Sequence, residues 1–157
     1  MQVLAILTIV SADSLTYRPC FPFEPIQAIK VDLHACGLTD ALLSRILPVL
    51  ASQCPDLRDL DLSSNALTSA AMADLVATVL STDTLQLRRL NLSGAQLKRD
   101  GLRTLVTGVS GHAFLEELDV SDTGADQGSL QLLFEALTVC MVLRVFIYCF
   151  LLCVWLE

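Results

Sequence analysis

Apolar residues recur along this chain in one fixed order, written four times. Leu57, Leu60, Leu62 and Leu67 stand at relative positions 1, 4, 6 and 11, with Asn65 at position 9. Leu87, Leu90, Leu92 and Leu97 repeat the spacing around Ala95, and Leu115, Leu118, Val120 and Ala125 repeat it around Thr123. A looser copy runs through Ala28, Val31, Leu33 and Leu38 with Cys36 at the ninth place. The anchors Leu33, Leu62, Leu92 and Val120 lie 29, 30 and 28 residues apart. Within each copy the polar residues alternate with the leucines over a few positions, which predicts a short β-strand.

A second pattern follows every strand. Leu43, Ile46, Leu47 and Leu50 are spaced i, i+3, i+4, i+7, and so are Met72, Leu75, Val76 and Val79. The third and fourth sets are Leu102, Leu105, Val106, Val109 and Leu130, Leu133, Phe134, Leu137. Such a stripe is the buried face of an amphipathic helix. Thr39-Asp40, Thr68-Ser69, Asp100 and Ser129 precede the stripes as helix-entry residues. Pro48 lies inside the first stripe, where it is expected to kink or shorten that helix. Strand and helix alternating at a constant period predict an α/β solenoid with parallel strands on a concave face and helices on a convex one. One repeat cannot bury its own leucines, so the core exists only by stacking.

The text L-x-x-L-x-L-x-x-N/C-x-L, at this period and with this alternation, resembles the ribonuclease-inhibitor-like subfamily of leucine-rich repeats. The resemblance covers roughly residues 26–148 as four repeats plus a partial fifth. It implies a curved horseshoe segment that binds proteins. It also implies that the side chain at position 9 bonds the turning backbone, so Ala95 and Thr123 are expected to hold their turns less well. The subfamily includes ribonuclease inhibitors, repeat regions of NOD-like receptors, activators of Ran-type GTPases, actin-regulating scaffolds and Tonsoku-like genome-maintenance scaffolds. No residue in this chain selects among them.

The ends depart from the pattern. Residues 1–25 form an irregular or degenerate segment. Its apolar run from Val3 to Val10, followed by Ser11-Ala12, resembles a signal sequence but lacks a positive start and the usual length. A fifth strand begins in register at Leu143–Tyr148, and residues 149–157 then form an apolar tail with no polar face. Only 12 uninterrupted apolar residues follow Arg144, short of the roughly 20 a membrane-spanning helix needs. The favoured reading of the tail is an uncapped solenoid end prone to self-association; a membrane anchor and a buried cap are the alternatives.

Charge narrows the partners. A net charge of -7 argues against nucleic acid, which requires clustered Lys and Arg, and favours a protein with a basic patch. Six cysteines without metal-ligand spacing point to free, packed thiols and an intracellular setting, cytoplasmic or nuclear. No nucleophile–base pair, phosphate loop or metal motif is written, so neither enzyme nor cofactor is expected. Asn91-Leu-Ser93 reads as a glycosylation site by text alone.

Candidate binding residues follow from strand alternation. Lys30, Asp32, His34; Asp59, Asp61, Ser63; Arg89, Asn91, Ser93; and Glu117, Asp119, Ser121 are expected on the concave face as three columns. The first alternates in sign, and the second is mostly acidic. No Trp, Tyr or Phe anchors this grid, so a tight interface needs further repeats. The expected function is a non-catalytic interaction module or scaffold. The alternatives are a GTPase-activating regulator of a Ran-like GTPase, tested by single-turnover GTP hydrolysis, and a secreted or membrane-tethered receptor fragment.

Overall fold

The computed structural model describes residues 28–81, 85–129 and 131–133. The expected fifth strand, the apolar tail and the N-terminal segment lie outside these residues. The described elements are β1 (Lys30–Asp32), α1 (Asp40–Gln53), β2 (Asp59–Asp61), α2 (Ser69–Leu75), a π-helical turn (Val76–Leu80), β3 (Arg89–Asn91), α3 (Lys98–Gly111) and β4 (Glu117–Asp119). Residues 127–129 and 131–133 are helical after β4.

The four described strands form one parallel sheet in chain order, β1-β2-β3-β4. The register is the one the repeat spacing requires: Val31, Leu60, Leu90 and Leu118 pair in one row. Strands of three residues are short, but inter-repeat bonds continue past them. Leu33, Leu62 and Leu92 each donate their N–H to the next repeat at 2.9 Å, accepted by Asp61, Asn91 and Asp119 carbonyls. Ala35, Ser64 and Gly94 extend the same ladder into the turns.

Stacked leucines make the core. Leu33, Leu62, Leu92 and Val120 are buried, as are Leu57, Leu87 and Leu115 below them. Each fully buried aliphatic side chain contributes about 1.5–3 kcal/mol relative to exposure. The helices lie on the other side of this layer, α1 against α2 and α2 against α3. Their inward residues match the stripes: Leu43, Ile46, Leu47 and Leu50; Met72, Leu75 and Val79; Leu102, Leu105 and Val109. Leu133 of the fourth stripe is also buried.

Several local expectations are corrected. Pro48 does not shorten α1, which runs unbroken for 14 residues with Pro48 on its exposed outer side. Val76 and Val106 are only half-buried. After Leu75 the helix widens: the Ser81 N–H donates to the Val76 carbonyl at 2.7 Å, five residues back. The wider turn brings both Val79 and Leu80 into the core, a shift that a 3.6-residue period does not contain. Helix starts also move. Thr68 caps α2 through its Oγ1, but α3 begins at Lys98 with Asp100 in its first turn. In the fourth repeat Asp126 accepts from the Ser129 N–H at 2.7 Å, so Asp126 and not Ser129 is the capping acceptor.

The turn after each strand needs a left-handed residue. Ala35, Ser64, Gly94 and Asp122 occupy equivalent places with φ of 50°, 55°, 75° and 53°. Only Gly94 adopts that conformation without steric cost.

Candidate functional site

The expected grid forms as a surface. Lys30, Asp59, Arg89 and Glu117 align in one row across the sheet, and Asp32, Asp61, Asn91 and Asp119 in the next. All of these residues except Asp32 line a concavity of about 420 Å³. No metal-ligand cluster occurs among the described residues.

The first row largely neutralises itself. Arg89 reaches Asp59 at 3.4 Å on one side, and its Nε reaches Glu117 at 2.9 Å on the other. Lys30 does not complete the ladder; its Nζ lies 4.0 Å from Asp32 in its own strand. Arg89 is exposed, by 56%, and Asp59 half-buried, so each pair is worth about 1 kcal/mol or less. Beside the row, Arg88 pairs with Glu116 at 2.9 Å.

The second row does structural work that the leucine spacing does not announce. Each member turns one oxygen back to the chain two residues on. The N–H groups of His34, Ser63, Ser93 and Ser121 donate to Asp32, Asp61, Asn91 and Asp119 at 3.1, 2.9, 3.0 and 2.9 Å. This bond closes the strand into its turn, and an asparagine oxygen serves as well as a carboxylate. The available signal is the recurring text Asp-Leu-Ser, Asn-Leu-Ser, Asp-Val-Ser. Asn91 also keeps two carboxylates apart by donating its Nδ2 to Asp61 at 3.2 Å. Those two bonds employ both ends of the amide, which is the role of the apparent glycosylation asparagine.

The third row is less open than expected. His34 is exposed, but Ser93 and Ser121 are half-buried and Ser63 is buried. Ser63 donates its hydroxyl to Asp61 at 2.5 Å, so the contact of 2.9 Å between His34 Nδ1 and Ser63 Oγ has the imidazole as donor. Burial alone would raise the Asp61 carboxyl. The Ser63 hydroxyl and amide, then Asn91 and the nearby His34, hold it below the usual carboxylate range instead. A carboxylate held low is a weak base, and it orients the serine rather than the histidine. The arrangement joins three adjacent repeats through His34, Asp61, Ser63 and Asn91.

The remaining candidate groups are structural. Cys54 is buried, and burial pushes its thiol up, which leaves it protonated and inert. Cys36 and Cys54 are both free thiols. His112 is buried at the end of α3, where its Nδ1 accepts from the Phe114 N–H at 3.3 Å. It therefore fastens the loop before β4. No helix among the described residues is long and apolar enough to cross a membrane.

Comparison with known proteins agrees with this geometry. The leucine-rich-repeat family model matches residues 53–76. A mouse relative, Tonsoku-like protein, is 38% identical over 122 residues, which cover 74% of this chain and 9% of that protein. Among solved structures, leiomodin-1 actin-binding site 2 superimposes with a TM-score of 0.66, covering 92% of this chain and 75% of that one. At 12% identity that likeness is one of fold alone. The described residues thus build a solenoid of the leucine-rich-repeat type. The chain spans about a tenth of the length of its Tonsoku-like relative.

Proposed function

We propose that this chain is a non-catalytic scaffold segment of the ribonuclease-inhibitor-like subfamily, acting inside the cell and docking a protein partner on its strand face. The observation that supports this most directly is the concave surface itself, with four carboxylates against Lys30 and Arg89. Such a surface favours a partner carrying a basic segment, through orientation and on-rate more than through raw affinity. The identity to a Tonsoku-like protein favours a scaffold among the parents that the repeat text allows. A functional array of more repeats than these fits the lack of aromatic anchors among the described residues of the face.

The reading separates cleanly from a convex-face alternative. A photo-crosslinking residue placed at Ser93, on the strand face, is compared in cells with one at Arg103, exposed on α3. Protein adducts from position 93 and not from position 103 are expected. Adducts from position 103 alone would remove the strand face as the docking surface.

A further inference from the structure

Resting on that reading, we propose that Arg89 is a specificity-determining residue, holding the strand face below its full negative charge so that only strongly basic segments dock. The argument is geometric. Arg89 occupies the middle of the first row and is the one cation of the described face that touches two carboxylates there, Asp59 and Glu117. Lys30 is turned to Asp32 and neutralises neither of them. With Arg89 in place, two positive charges stand against the four carboxylates that line the concavity, a net of two negative charges. Removing its charge raises that net to three and leaves Asp59 and Glu117 facing the same space with no cation between them.

A control sits one residue away. Arg88 carries the same charge and is also paired, to Glu116, but it does not line the concavity. Arg88→Gln and Arg89→Gln therefore change the net charge of the chain equally, from -7 to -8. They differ only in whether the charge removed lies on the face. Both arginines are exposed, and loss of an exposed ion pair leaves the fold intact, which matched thermal unfolding curves verify.

The test uses the full chain and a fluorescein-labelled hexalysine peptide, followed by anisotropy at low salt and again at high salt. Arg89→Gln is expected to bind about fivefold tighter than the parent, with Arg88→Gln near the parent and the difference vanishing at high salt. Peptide binding with Arg89→Gln unchanged or weaker overturns the inference but leaves the basic-partner reading standing. Equal tightening by both variants also overturns it, since bulk charge then suffices. No binding to any of the three proteins removes the basic-partner reading together with the role of Arg89.

Discussion

The second and third repeats stack on their predecessors with the same geometry and different chemistry. The second, from Leu57 to Leu80, is fastened by polar side chains. Asn65 donates its Nδ2 to the carbonyls of Leu33, Leu62 and Ser63 and accepts from the Leu38 N–H at 2.9 Å. Asp40 of α1 accepts from the Thr68 N–H at 2.8 Å and from its hydroxyl at 2.5 Å, and Ser44 bonds Asp74 across the same seam. The third repeat, from Leu87 to Gly111, has Ala95 where the second has Asn65, and it is seated by close approach. In α3, Gly101 lies against Ser69 and Gly108 against Val76, so the same seven-residue step is taken on both helices. A parallel solenoid thus needs only that neighbouring repeats reach the stacking distance. Hydrogen bonds across the seam or missing side chains within it both achieve that.

The largest effect should come from the polar turn. Asn65→Ala takes the side-chain partner from the Leu62 carbonyl and the Leu38 amide in a buried place, and one of two bonds each from the Leu33 and Ser63 carbonyls. Each unsatisfied group costs about 1–3 kcal/mol, and partial relaxation should leave a net loss of about 3 kcal/mol in urea unfolding. A loss below about 1 kcal/mol would mean that the second repeat is not held by this side chain. The reciprocal change is smaller. Ala95→Asn supplies the third turn with the missing bonds and is expected to gain about 1 kcal/mol. A loss would show that the turn has closed tightly around Ala95, which is fully buried.

Much of this architecture was legible in the leucine spacing. The strand rows, the register and three helical stripes follow from a period that only parallel stacking satisfies. The alignment of the two concave rows followed too, because side chains alternate along a strand. What escaped was anything that depends on what lies across a seam. Gly101 and Gly108 read in isolation as weak helix formers, and only the neighbouring helix explains them. The π-helical turn Val76–Leu80 lies at that same contact region, with Val76 and Leu80 facing Gly108. Ser63 counted as an exposed contact by alternation, yet His34 of the preceding repeat covers it, a contact between residues 29 positions apart. The Asp-x-Ser turns were visible in the text but masked by the more prominent reading of an acidic stripe.

Two smaller effects sharpen the contrast at the turns. Ala35→Gly relieves a left-handed conformation that costs an alanine about 1–2 kcal/mol, against about 0.5–1 kcal/mol for the extra freedom of glycine when unfolded. The expected gain is below about 1 kcal/mol, read as a higher urea midpoint; a lower midpoint would contradict it. The smallest effect concerns acid. Asp61 has its folded carboxyl held below the unfolded value, so its contribution is present above that value and is lost as pH falls through the folded one. Below about pH 4 the parent should lose stability more steeply than Asp61→Asn, which keeps the turn bond without the charge. Parallel curves for the two proteins would show that Asp61 is not held low.

The close-approach account of the third repeat has one decisive measurement: urea unfolding of Gly108→Ala beside Gly111→Ala. Both positions lie in α3, and an interior glycine-to-alanine change ordinarily gains about 0.5–1 kcal/mol. A methyl at Gly108 would meet the Val76 methyls at 2.7 and 2.8 Å, whereas at Gly111 it meets nothing within 4 Å. Overpacking of that kind costs about 1–3 kcal/mol. Gly108→Ala should therefore unfold at lower urea than the parent, and Gly111→Ala at the same concentration or higher. A gain at both positions would contradict the account, since α3 would then have room to spare against α2.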